Sequence, residues 1–458
     1  MSRVLFFCLI SLSFAVTITE EMVIRSTNSY FPKILEQIKN LEAAKADIRS
    51  QLGTFDLKMK AKQNDRAKGY YDGVLNEVKL EQRLAPFSTS IYAGARRSDG
   101  DFPSYEGKME TLDKGENMIG VSLSLLRNRA SDVDRLELNL SRISFDKEKN
   151  NLTQVRLDML LAAVNTYWTW VAQGEVVKVY QNLLDISLKR DKGIRRRIKK
   201  GDLAKIYQYE SRQYILKRQI NLFNAQRDFL ALSLELALFM RDEKGDPHKL
   251  NGSNLPKEDV IKNIRPRLDR PITKIIDISP KISNLALKMN ELSLKEEFQR
   301  SQLLPQADFT VEYSHDDGQG PATLQEEETR VMIQFEFPLQ NRKASGKLAS
   351  VRAKKEALKK YRNLEVSRLE NKHRVLLNNM KVLKEVSEMA EEAVKMAIKL
   401  QVGEAKKFNN GASDFFVVNL REQDTAKAKI ENIKAKLKFH QTMTKYRSLV
   451  QDFPLKAE

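Results

Sequence analysis

Few residues in this chain stand close enough together to do chemistry. Asp316-Asp317 and Glu326-Glu327-Glu328 fall near one another and could hold a divalent cation weakly through their carboxylate oxygens. In a polar loop the plainer reading of such acids is solvated charge, and we expect no resident metal. His248, His315, His373 and His440 are isolated, none with a partner at metal-ligand spacing. The sequence holds no phosphate-cradling glycine loop and no nucleophile elbow. Its one cysteine, Cys8, lies in an apolar run near the start. The remaining candidate is a ladder of Lys58, Lys60 and Lys62, which presents charge on one side of a strand rather than catalysing anything. We therefore expect no enzyme and no cofactor.

The ladder belongs to the clearest strand, Thr54 to Lys62. Phe55, Leu57, Met59 and Ala61 fall on one face; Asp56, Lys58, Lys60 and Lys62 fall on the other. Strict alternation fits a barrel strand, apolar toward lipid and charged toward a watery lumen, and equally fits an edge strand of a soluble sheet. The pattern recurs. Ile119, Val121, Leu123 and Leu125 alternate with small residues, and Phe309, Val311 and Tyr313 alternate with Asp308, Thr310 and Glu312. Val331, Ile333, Phe335 and Phe337 alternate with Met332, Gln334 and Glu336. The last two runs are joined by a polar loop, His315 to Thr329, whose tip belongs in solvent.

Long helices surround these strands. No proline occurs from Ser104 to Asp246 or from Leu339 to Phe453, as uninterrupted helix requires. Leu157, Leu160, Leu161, Val164, Tyr167, Trp168 and Val171 follow helical spacing, as do Leu376, Met380, Leu383, Met389, Ala390, Ala393, Ala397 and Leu400. Trp168 and Trp170 read as packing residues. A helix from Arg129 to Gly201 would reach about 100 Å at 1.5 Å per residue. Gly201 and Gly411 stand where the chain must turn back, glycine being the residue that ends a helix in the left-handed conformation.

The chain says nearly the same thing twice. Phe31-Pro32-Lys33-Ile34 recurs as Ser279-Pro280-Lys281-Ile282, and Arg49-Ser50-Gln51-Leu52 as Arg300-Ser301-Gln302-Leu303. Leu126-Arg127-Asn128-Arg129 is echoed by Leu339-Gln340-Asn341-Arg342, and Lys199-Lys200-Gly201 by Asn409-Asn410-Gly411. Four matches in one order mean a duplication. We place the first repeat at 16–241 (strands 53–126, helical hairpin 130–241) and the second at 280–453 (strands 306–338, helical hairpin 343–451). A proline-punctuated linker, 242–279, joins them. Arg129 lies 80 positions after Arg49, against 42 from Arg300 to Arg342, so the first repeat carries 38 extra. They hold weaker strand-like runs, Val74 to Leu84 and Thr89 to Ala95, and read either as an added hairpin or as a surface loop.

Composition narrows the class. Of 458 residues 31% are charged, the net charge is +18, and only 12 are prolines. Lys and Arg are interleaved with Glu and Asp along helices, which fits solvated faces rather than nucleic-acid binding. Residues 1–15 read as an export signal: Arg3, an apolar run from Val4 to Phe14, then Ser13-Phe14-Ala15. Its removal leaves a chain without thiols, and Phe7 before Cys8 argues against a lipid anchor. No later stretch is apolar enough for a membrane helix, so a membrane could be crossed only as a β-barrel.

Taken together, the duplicated order of short helix, strand hairpin, Pro338-Leu339, long helix and glycine turn resembles the TolC-type outer-membrane efflux channels. Asn165-Thr166-Tyr167-Trp168 and Pro305 after Leu303-Leu304 add to the likeness. The resemblance implies a mainly α fold with transmembrane β: a homotrimer whose chains each give four strands to a twelve-stranded barrel in outer-membrane lipid. It also implies a periplasmic α-helical barrel that docks on a periplasmic adaptor protein and an inner-membrane transporter, exporting small molecules or polypeptides from a Gram-negative cell. Family members constrict the hairpin end with acids shortly after the glycine turn. Here Tyr207 and Val417 stand six residues beyond the glycines, with Leu420 further on, and Asp202 and Asp414 are out of register with that pattern. An entrance closed by apolar and aromatic packing follows as the expectation. For the lumen the candidates are Asp56, Lys58, Lys60, Lys62, Thr310, Glu312, Gln334 and Glu336, with the lysines favouring anions and Glu312 and Glu336 opposing them. A periplasmic adaptor, or a secreted coiled-coil scaffold, is the rival reading.

Overall fold

The computed structural model describes residues 17–66, 68–256 and 270–454. The proposed export signal, Cys8 and part of the linker lie outside them. Helix α1 (Glu20–Tyr30) precedes α2 (Pro32–Leu52); four strands follow, β1 (Lys58–Arg66), β2 (Gly73–Leu84), β3 (Thr89–Gly100) and β4 (Gly115–Ser124). Then come α3 (Val133–Lys199), α4 (Ile206–Ala237), α5 (Ile272–Ile278) and α6 (Pro280–Ser301). Strands β5 (Gln306–Asp317) and β6 (Glu328–Glu336) lead into α7 (Arg342–Asn409) and α8 (Phe415–Leu449). Among the described residues no helix is long and apolar enough to cross a membrane.

The six strands form one antiparallel sheet in chain order, β1 to β6. The extra residues of the first repeat are therefore a hairpin, β2–β3, and the chain supplies six strands where the resemblance implied four. Strand β1 begins at Lys58, not Thr54. Gly53–Phe55 continues the end of α2 as a single 3-10 turn, with the Asp56 amide donating to the Gly53 carbonyl, so Phe55 and Asp56 precede the strand. The loop between β5 and β6 is shorter than expected, because pairing with β4 carries β5 through Asp316 and Asp317.

The described residues form two compact units, one comprising Lys39–Asn151 and Lys281–Glu365 and the other the remainder. Each unit draws on both repeats, because β4 of the first pairs with β5 of the second. In the sheet-bearing unit the repeated motifs explain themselves. Asn128 and Asn341 both take positive φ, 69° and 47°, a conformation asparagine tolerates, and both sit between a strand and a long helix. The Asn341 side chain donates to the Leu303 carbonyl at 3.0 Å, and Gln302 donates to Asn128 Oδ1 at 2.9 Å. Thus the Arg-Ser-Gln-Leu motif of the second repeat holds the corner of the first and, through Leu303, its own.

Elsewhere in the same unit, Glu291 accepts hydrogen bonds from Lys147, Lys288 and Lys295 at 2.6–2.7 Å. Burial raises its pKa, but the three ammonium groups outweigh burial and hold the carboxyl at about 2.

The other unit packs around α3. Leu160, Val164, Tyr167 and Trp170 are fully buried with Val23 of α1 and Leu236 of α4. Each polar edge of these aromatics is satisfied. Trp170 Nε1 donates to Ser233 Oγ at 2.9 Å, Trp168 Nε1 to Glu20 Oε2 at 2.8 Å, and Tyr167 Oη to the Ile18 carbonyl at 3.2 Å. Trp168 also stacks on His440, ring centroids 4.0 Å apart. A second cluster joins Leu376 and Met380 of α7 to Ile275 of α5 and to Met443 and Tyr446 of α8.

Candidate functional site: a two-faced sheet and the hairpin ends

Because strand side chains alternate, the observed register fixes which residues share a face. Met59, Leu80, Ala93, Ile119 and Tyr313 lie in one row across the sheet, on the same face as Val78, Ile91, Val121, Val311, Val331, Ile333 and Phe335. The large side chains of this face at the sheet's two edges are strongly exposed, Met59 at 73% and Ile333 at 67%. Charge on it is confined to the loop ends of the strands, at Asp65, Arg97, Asp99 and Asp317. An exposed apolar band that runs across all six strands is the kind of surface that meets a partner or lipid.

The opposite face is polar and laced together. Lys79 Nζ lies 3.3 Å from the centre of the Tyr92 ring, and Tyr92 Oη donates to Glu312 Oε2 at 2.6 Å. Arg330 reaches the other Glu312 oxygen at 3.1 Å and Glu328 at 2.8 Å. This belt crosses from β2 to β6. It requires Gly120 on β4, since a Cβ there would lie 2.3 Å from the Tyr92 ring. Lys60 pairs with Glu81 and Arg96 with Glu116, while Thr310 Oγ1 meets Ser122 Oγ at 3.0 Å.

Charge on this face is segregated. Strands β1 to β3 present Lys58, Lys60, Lys62, Arg66, Lys79, Arg83 and Arg96 against only Glu77 and Glu81. Strands β4 to β6 present Glu116, Asp308, Glu312, Asp316, Glu328 and Glu336 against only Arg330. Lys58, Lys60, Lys62, Thr310, Glu312, Gln334 and Glu336 thus share the polar face, and Asp56 lies outside the strand. Bases and acids match in number, so the face as a whole carries no surplus of cations to favour anions. Tyr92, Lys79 and Arg330 were not read from the sequence. The alternation of Glu77, Lys79, Glu81 and Arg83 is visible there, but the Tyr92–Gly120 pairing needs the register.

At the far ends of the helical hairpins, Gly201 and Gly411 take φ of 83° and 75°. Both close their helices through the same backbone bonds: Asp202 N to the Arg197 carbonyl, and Ala412 N to the Lys407 carbonyl, each 2.9 Å. Asp414 caps α8 by accepting from the Phe416 amide at 2.8 Å, while Asp202 is exposed. Tyr207, Tyr214 and Phe408 surround buried Phe415, ring centroids 6.0–6.2 Å away. Val417 is half-buried, and Leu420 is exposed.

Beyond Phe415 the hairpins are joined by a buried charge cluster. Glu422 pairs with Arg190 and, at 3.0 Å, with Arg218. Asn419 Oδ1 accepts from both arginines at 3.2–3.3 Å. Burial lowers both guanidinium pKa values to about 10, with Arg190 adding to the effect on Arg218, so both stay charged at neutral pH. Phe415, Asn419 and Glu422 share one helical stripe by their i, i+4, i+7 spacing. That spacing was the available sequence signal; its buried partners were not legible. Among the described residues no trio of His, Cys, Asp or Glu gathers to hold a metal.

No protein-family model and no curated protein matches the chain. Solved structures do. The channel CusC superposes with a TM-score of 0.70 at 10% identity, over 95% of this chain and 93% of its own. The outer membrane channel CmeC of Campylobacter jejuni gives 0.66 at 11% identity over 96% and 87%. The outer membrane protein VceC of Vibrio cholerae gives 0.66 at 11% over 94% and 95%. This chain has the fold of these outer-membrane proteins along nearly its whole length.

Proposed function

We propose that the chain is one protomer of an outer-membrane channel, an exit duct for small molecules or polypeptides working with a periplasmic adaptor and an inner-membrane transporter. The observation that carries this reading is the two-faced sheet. A meander that is apolar on one face, polar and hydrogen-bonded on the other, and open at β1 and β6 cannot rest in lipid as a single copy, because its edges would leave backbone groups unsatisfied. Closure with further copies removes the edges, turns the apolar face to lipid and encloses the polar face as a lumen. The likeness to outer-membrane channels supports this, and the TolC-type resemblance supports three copies. The polar-face residues Lys58, Lys60, Lys62, Thr310, Glu312, Gln334 and Glu336 then line the pore.

The hairpin ends at Gly201 and Gly411 form the inner entrance. The cluster of Tyr207, Tyr214 and Phe408 around Phe415 narrows it, with Asp202, Asp414, Val417 and Leu420 at its margin. Stepwise cysteine substitution from Val331 to Glu336 tests the sheet assignment in reconstituted vesicles. A water-soluble maleimide should label positions 332, 334 and 336 and spare 331, 333 and 335. Equal labelling of both sets would exclude a lipid-facing sheet.

A further inference from the structure

The channel reading, on which this inference rests, leaves open how many strands each copy gives and in what register copies meet. We propose that β6 of one copy pairs antiparallel with β1 of the next over all nine residues of both strands, with Lys58 opposite Glu336. Each copy then contributes six strands, and a ring of three holds eighteen. Barrel diameter grows about linearly with strand number, so the pore is about half again as wide as one built from four strands per copy.

Three features of the two edges carry the assignment. Both strands are nine residues long, Lys58–Arg66 and Glu328–Glu336, and each has one side unpaired in the sheet order. Odd-numbered residues of both lie on the apolar face, so any register joining like faces pairs residues whose numbers share parity. Between full overlap, which pairs the most residues, and its two nearest like-face neighbours, charge selects one. Sliding β6 by two residues one way sets Lys62 opposite Arg330; sliding it two the other way sets Arg66 opposite Arg330. Like charges directly opposite destabilise a strand pair. Full overlap instead sets Lys58 opposite Glu336 and Arg66 opposite Glu328, with Asn64 facing Arg330. Within the chain Arg66 already pairs with Glu106 and Glu328 with Arg330, whereas among the described residues Lys58 and Glu336 have no ion-pair partner.

The apolar face continues across the same seam. Met59 meets Phe335, Ala61 meets Ile333, and Gln63 meets Val331. The match extends beyond the seam strands: the basic sector β1–β3 of one copy adjoins the acidic sector β4–β6 of the next. A lumen walled by alternating basic and acidic sectors sets up transverse fields, where a uniform lysine lining would give net anion preference.

Disulfide trapping tests the register. Lys58→Cys with Glu336→Cys, in a Cys8→Ser background, is extracted in detergent and oxidised. We expect a species of three chains on a denaturing gel, each 52.8 kDa as the full chain, from most of the protein. Either cysteine alone should give no such species, and Lys58→Cys with Gln334→Cys at least fivefold less of it. Should the cysteine pair disturb folding, charge reversal supplies the second arm: Lys58→Glu should weaken assembly by size-exclusion chromatography, and adding Glu336→Lys should restore it. Detergent-extracted three-copy assemblies that link through position 334, or through neither, would overturn the register while leaving the channel reading intact. A chain recovered without detergent and never assembled would overturn both.

Discussion

The two long helices that follow the strands, α3 and α7, are of nearly equal length, 67 and 68 residues, yet they differ in where their apolar stripes go. Along α3, Leu157, Leu160, Val164, Tyr167, Trp168, Trp170 and Val171 are all buried within the chain, against α1, α4 and the C-terminal segment. Along α7, Leu376 and Met380 reach a core with Leu369 and Leu377 packed against it, and Ala344 and Leu348 are buried near its start, but beyond Met380 Met389 is 68% exposed, Val382 55% and Leu400 53%. The sheet shows the same imbalance, with four strands from the first repeat and two from the second. The proposed assembly of several copies would cover the exposed stripe of α7, whereas that of α3 is already covered within the chain.

The contrast is sharpest under paired substitutions. Trp170→Ala, which empties a fully buried site, should cost about 3–5 kcal/mol of chain stability by denaturant unfolding in detergent. Met389→Ala should cost the chain at most about 0.5 kcal/mol, and should show its effect as a lower yield of assembled copies by size exclusion. Equal losses of chain stability would break the comparison.

The charge cluster that ties the two hairpins together comes next. Arg218→Ala leaves Glu422 buried with one partner fewer, and should cost about 3 kcal/mol in the same unfolding assay. Arg218→Met, of similar volume, should not rescue it, because Glu422 keeps a buried charge that has lost one of its two arginines.

In the sheet-bearing unit the Glu291 cluster should give an acid-sensitive term. Its carboxyl is held at about 2, below the ordinary value of 4.5. The stabilisation is therefore full above about pH 4.5 and is lost as pH falls toward 2, the sign expected for a depressed carboxylate. Glu291→Gln should flatten the fall in melting temperature over that window.

The smallest effects reverse sign within one hairpin. Gly411, at φ 75°, should lose about 1 kcal/mol on replacement by alanine. Gly403, inside α7 with open space where a Cβ would go, should gain about 0.5–1 kcal/mol from the same change. Thermal melts of the two variants should move in opposite directions.

How much of this was legible in the sequence follows from the range of the forces involved. The hairpin turns were readable because their signal is local: Gly201 and Gly411 end their helices in the left-handed conformation. Alternation exposed β1, β4, β5 and β6. Strands β2 and β3 were fainter because Asn76, Gln82 and Gly94 dilute the pattern, so the choice between hairpin and loop needed the register. The alternation runs four residues ahead of β1, since Phe55 satisfies it while lying in the 3-10 turn that ends α2 and Asp56 follows that turn outside the paired strand. Lys58, Lys60 and Lys62 share one face of β1, but the acids that balance them, Glu81, Glu116 and Glu312, come from other strands. Charge balance across a sheet cannot be summed from one strand. The Arg190–Glu422–Arg218 cluster was invisible for the same reason, its members lying far apart in sequence and meeting only through packing.

The most direct test of the central claim is planar-bilayer recording on detergent-extracted protein purified as an assembly of three copies. Discrete, uniform conductance steps, larger than a twelve-stranded pore would pass and reduced by Tyr92→Trp on the polar face, are the result this account predicts. A bilayer that stays silent, with protein that needs no detergent to remain in solution, would mean that the apolar face never meets lipid and would contradict it.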